Sequence, residues 1–200
     1  MKLGTKSLLF GAHQFLLHPI FVAAAWSKLY GPPLDPRLWI AFFVHDLGYF
    51  GKPNLDGQEG KTHPELGAKI MRRLFGSKWH DLCLYHSRSA ARQYGVQPSL
   101  LSHADKLSTL LAPRWLYLRQ IQATGEVDEY LHHFHQRLET HKNTPVRLDI
   151  PDVRYPPLNI AYGSIDHWYW SITRRYTPHW IREKQRELKP LIKEFRVHTD

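Results

Sequence analysis

The chain has 200 residues and a formal net charge of +9, and 42% of it is hydrophobic, including 7 Trp, 10 Tyr and 9 Phe. That composition excludes a disordered chain, and the length suits one domain with a sizeable core. The single cysteine, Cys83, excludes an internal disulfide and a cysteine-built zinc site, and it agrees with a reducing cytoplasm.

Met1 to Lys6 carries two lysines, and Ser7 to Ala25 is largely apolar, much like a signal peptide or a short membrane span. His13, Gln14, His18 and Pro19 interrupt that run, so a buried first helix is expected instead, without membrane association. Helical pieces are predicted over residues 5–12 and 14–30, stopped by Gly31-Pro32-Pro33. Pro19 suits the first turn of a helix opening near His18. Asp35 as N-cap and Pro36 at the first position open a helix over 36–48. Its apolar run Trp39 to Val44 reads as a buried helix ending in His45-Asp46-Leu47-Gly48. Residues 49–61 are too rich in Gly, Pro and Asn for anything but a loop. Thr62-His63-Pro64-Glu65 has the form of a capping box opening a helix to Phe75. Further helices are expected over 78–92, 98–111, 114–123 and 127–140. Residues 143–162 are proline-rich and irregular, and 163–176 and 179–196 read as helices. No sustained strand alternation and no repeat is present, so the class is all-α, with length for a single domain.

Histidine is the outlier of the composition, with 14 residues. The exposed ones aside, a spaced series remains: His18, His45-Asp46, His63, His86 and Asp105, at steps of 27, 18, 23 and 19 residues. Each step is about one helix plus one turn, so successive helices of a bundle can each direct one ligand into a shared core. A buried imidazole beside a buried carboxylate is costly unless both are paired. They can pair with each other or with the backbone, or a metal can satisfy both. Mixed imidazole and carboxylate donors suit Mn, Fe, Co or Zn more than Mg or Ca. His80-Asp81 reads as a helix-surface pair, and His132, His133, His135 and His141 as a solvated face. His13 is a fallback for His18 as first ligand.

The series resembles the HD-domain superfamily of metal-dependent phosphohydrolases. The resemblance rests on His18-Pro19-Ile20-Phe21-Val22, on Val44-His45-Asp46-Leu47-Gly48 and on Ala104-Asp105-Lys106-Leu107, and covers roughly residues 10–115, which implies a domain core there and a helical extension over 116–200. It implies a one-metal set of His18, His45, Asp46 and Asp105. His63 and His86 resemble the extra ligands of two-metal members, with Asp46 bridging. It further implies two divalent transition-metal ions and hydrolysis of a phosphate ester or nucleotide by water that the metals activate. Arg88, Arg92, Lys52, Lys61 and Lys106 are candidates to hold phosphate oxygens, Arg88 and Lys106 first because each lies within two residues of a ligand. The paired histidines and Gly-Tyr-Pro signature of the cyclic-di-nucleotide phosphodiesterases are missing, so that substrate is not implied. A few HD-like folds with the same six ligands hold two irons and oxidise a substrate with oxygen, which is the alternative enzyme reading. The third reading is a nucleic-acid-binding protein with a structural metal. It rests on net charge and on Arg174, Arg175, Arg182, Lys184, Arg186, Lys189, Lys193 and Arg196 near Trp168, Tyr169 and Trp170.

Overall fold

The structure, a computed structural model, describes residues 1–140 together with 177, 181 and 182. The expectations for 143–162, 163–176 and 179–196, and most of the basic residues of the nucleic-acid reading, lie outside the described residues. Those residues are all-helical: α1 (Leu3–Phe10), α2 (His18–Tyr30), α3 (Pro36–Val44), α4 (Pro64–Phe75), α5 (Ser77–Leu84), α6 (Arg88–Gln93), α7 (Leu100–Leu111), α8 (Arg114–Thr124) and α9 (Glu126–Thr140). Among them, no helix is long and apolar enough to cross a membrane.

The core forms where α2 packs on α7, α4 packs on α5, and α3 lies against α2, α4 and α5. Val22, Trp26, Phe42, Met71, Leu82 and Leu101 fill it. Each such side chain contributes about 1.5–3 kcal/mol by leaving water. A smaller cluster of Tyr117 and Ile121 joins α8 to Val127 and Leu131 of α9.

Asp35 caps α3 as the sequence predicts, accepting from Arg37 N at 2.9 Å. The helix is not wholly buried, however. Leu38, Ala41 and Phe42 face the core, while Trp39 and Ile40 are 40% and 38% exposed. A helix with core on one side buries only one stripe, whatever its composition. For the same reason α1 is half-buried: Ser7 and Leu8 face inward, while Leu9 and Phe10 are exposed.

Several expected boundaries move: the 5–12 helix is Leu3–Phe10, and the 14–30 helix opens only at His18. The 36–48 helix ends at Val44; His45 is its C-cap, and Leu47–Tyr49 form a separate 3-10 turn. The Thr62 capping box does not form. Gly60–Thr62 is a 3-10 turn, and Thr62 Oγ1 donates to the Glu59 carbonyl at 2.8 Å. The single 78–92 helix is two, because its carbonyls find other donors. Ser99 Oγ takes Leu82 O at 2.7 Å, and Ser99 N takes Tyr85 O at 2.9 Å. Ser87 then caps α6. The His80–Asp81 pair is on the surface as expected, at 2.8 Å.

Two glycines set how closely the chain packs around His45-Asp46. A Cβ on Gly67 of α4 would stand 2.4 Å from Val44 O, and one on Gly48 would stand 1.9 Å from His63 O. Gly67→Ala therefore lowers stability by about 1–3 kcal/mol as an overpacking change, against a helix-propensity gain of about 1 kcal/mol. Denaturant unfolding checks this; equal or raised stability would mean that α4 does not approach α3 so closely.

Candidate metal centre

Helix ends build this site. The last carbonyls of a helix have no partner within it. His45 follows α3 and donates from Nδ1 to Phe42 O at 2.8 Å. His63 follows the 3-10 turn Gly60–Thr62 and donates from Nδ1 to Gly60 O at 2.8 Å. His86 follows α5 and donates from Nδ1 to Cys83 O at 2.5 Å. In each case a carbonyl three residues back captures the ring. A carbonyl only accepts, so Nδ1 carries a proton, and in the neutral ring Nε2 then holds the lone pair that can bind a cation.

Those lone pairs converge. His63 Nε2 and His86 Nε2 are 3.1 Å apart. Asp46 Oδ1 lies 3.6 Å from the first and 3.3 Å from the second. On the other side, Asp46 Oδ2 lies 3.1 Å from His45 Nε2 and 3.4 Å from His18 Nε2. Asp105 Oδ1 is 3.2 Å from His18 Nε2. All six side chains are buried, and they form two overlapping groups that could hold a metal: His18, His45, Asp46 and Asp105, and Asp46, His63 and His86.

A cation fits this donor set. With both Nδ1 atoms donating, the His63–His86 contact sets one lone pair against another, and the contact of His45 with Asp46 is of the same kind. Asp46 Oδ2 is buried without a hydrogen-bond partner. Burial acts to raise the Asp46 carboxyl, but positive charge on the imidazoles of His45, His13 and His18 outweighs it and holds the group well below the usual carboxylate range; when those rings are neutral, a bound cation would supply that charge. Burial likewise opposes charge on Asp105, yet Lys106, 2.9 Å away, and His18 hold it well below that range. Burial and the neighbouring His86 push His63 well down, which keeps it neutral. Such buried like-signed acceptors are stable only around positive charge.

His13 does not join either group. Its Nδ1 is 2.8 Å from Ser7 Oγ, and its ring packs on Tyr49 at 4.6 Å. Tyr49 in turn stacks on His63 at 4.0 Å between ring centres.

A cavity of about 460 Å³ opens over Asp46, His63, His86 and Asp105. Lys61, Arg88, Arg92 and Lys106 line it. Lys52 instead donates to Thr62 Oγ1 at 2.6 Å. Asp56, Ser89 and Gln136, which no sequence pattern marks, line the cavity, and so does His133, whose spacing suits a solvated helix face. No signal in the sequence ties α9 to the site. The tie is Glu129, whose carboxylate accepts from Leu55 N and Asp56 N at 2.9 and 2.8 Å. Comparison of the chain with family models, with curated proteins and with solved structures finds no match.

Burial disfavours a proton on His18, but Asp105 and Asp46 overcome it and raise the imidazole from 6.5 to about 9. A raised value stabilises the metal-free fold fully below the unfolded value, and the contribution is lost as pH climbs through the folded one. The melting-temperature gap between metal-free wild type and His18→Gln therefore narrows from about pH 6 to about pH 10. A gap independent of pH would show that His18 is neutral throughout.

Proposed function

We propose that this chain is a metal-dependent phosphohydrolase with a two-metal centre of the HD type. The observation that carries the reading is the split of one carboxylate. Asp46 Oδ2 faces His18 and His45, and Asp46 Oδ1 faces His63 and His86. A bridging aspartate between two ligand groups has that arrangement. His18, His45, Asp46 and Asp105 would hold one transition-metal ion, and Asp46, His63 and His86 the other. When bound, such a pair supplies Lewis acidity and makes water more acidic near neutral pH.

The chain's own groups do the rest. Lys106 holds Asp105 in place through its 2.9 Å ion pair. Arg88, Arg92 and Lys61 line the cavity beside the ligands, where they would hold phosphoryl oxygens. The Tyr49 ring, stacked on His63, keeps that imidazole oriented and shields it from water. A cavity with this many cations favours an anionic substrate such as a phosphate ester.

Metal content separates the ligands. Asp46→Ala loses both ions, while His63→Ala and His86→Ala fall from about two ions to about one per chain with the fold intact. His18→Ala loses the first ion, and His13→Ala keeps both. Elemental analysis with circular dichroism reads these outcomes, and full occupancy in Asp46→Ala would remove the bridging assignment.

Activity is tested by hydrolysis of a phosphate-ester panel with Mn, Fe, Co, Zn and Mg in turn. Hydrolysis with a transition metal, lowered about a hundredfold or more in Asp46→Ala, is the expected result. Oxygen consumption with ferrous iron and no hydrolysis would move the assignment to the diiron reading.

A further inference from the structure

Resting on the phosphohydrolase reading, we propose that the substrate is a monophosphate of a small polyhydroxylated molecule, a sugar or polyol phosphate, and that Asp56 selects its hydroxyls. The cavity of about 460 Å³ lies within the range of sites that enclose a whole small ligand, so it has room for more than a phosphoryl group. Its inner end carries the ligand carboxylates and imidazoles. Besides Leu55 and the cations, the remaining wall presents Asp56, Ser87, Ser89, His133 and Gln136. Polar side chains of this kind exchange hydrogen bonds with hydroxyl groups.

Asp56 gives the wall its selectivity. An ionised carboxylate only accepts, so its natural complement is an O–H donor, and paired vicinal hydroxyls match its two oxygens. The same charge repels a second phosphate, which disfavours a polyphosphate tail beside it. The residue is on a fixed backbone rather than a loose tip, because Leu55 N and Asp56 N both donate to the Glu129 carboxylate of α9. Asn54 Oδ1 fastens the same loop by accepting from Gly60 N at 2.8 Å.

A nucleotide asks for a platform under its base. Tyr49, the aromatic ring in the described lining, is already stacked on His63 at 4.0 Å and packed by His13 at 4.6 Å. Its surface is committed to holding the ligand histidine.

The test compares kcat/KM of the metal-loaded enzyme on a hexitol phosphate, adenosine monophosphate and p-nitrophenyl phosphate, for wild type and Asp56→Ala. The hexitol phosphate is expected to be the best substrate. In Asp56→Ala its kcat/KM, divided by that for p-nitrophenyl phosphate, falls about tenfold through KM, as loss of a charge-assisted hydrogen bond predicts. Preference for adenosine monophosphate, or an unchanged ratio in Asp56→Ala, overturns the proposal while p-nitrophenyl phosphate turnover still upholds the hydrolase reading. No turnover of any ester with any metal sinks both.

Discussion

The site depends on one repeated interaction, the bond from an imidazole Nδ1 to the carbonyl three residues earlier. It occurs at His45, His63 and His86, each just past the end of a helical turn. The helix end supplies an acceptor that would otherwise be unsatisfied, and the ring supplies the donor. One bond thus ends the helix, fixes the tautomer and aims Nε2 inward. Three such ends meet around Asp46, and the resulting set of acceptors is what calls for a cation.

Keeping those ends together takes backbone contact closer than side chains allow. Gly67 lets α4 rest on the carbonyl of Val44, and Gly48 lets the turn after Asp46 rest on the carbonyl of His63. Residues 45–48 therefore touch the elements bearing His63 from both sides. The outer wall is held differently, by carboxylates of α9. Glu126 is fully buried, and it accepts from Ala12 N at 3.0 Å, Thr124 Oγ1 at 2.7 Å and Tyr130 Oη at 3.0 Å. Glu129 holds the 54–56 loop. These two residues on successive turns tie the segment before α2 and the loop before α4 to one helix, so the cavity has a fixed rim.

His18 differs from the other three histidines. It opens a helix instead of ending one, and it sits against Asp46 and Asp105 at 3.4 and 3.2 Å. Without a metal its proton offsets those carboxylates; a bound ion takes over that charge. Proton and metal are in this sense alternative occupants of the same electrostatic need.

By itself the sequence determined the helical class, through three- and four-residue apolar spacing, and the positions of the six clustered residues, through a histidine or aspartate recurring once per helix and turn. It also determined the start of α3, because Asp35 and Pro36 act within a single turn. What only the tertiary structure decided lies where a distant partner takes over a local bond. Ser99, fifteen residues past the end of α5, takes the carbonyls that would have continued that helix, so 78–92 forms two helices and His86 turns inward. Thr62 could cap locally, but its hydroxyl went to Glu59 and its place at the helix start to His63. The exposure of Trp39 and Ile40 follows from which neighbours pack on α3, and apolar composition alone does not reveal that. Asp56 is held at the cavity by Glu129 of α9, the helix that also carries His133, a pairing across more than seventy residues. Periodicity records what a residue does for its own helix; contacts of that range are fixed only when the helices pack.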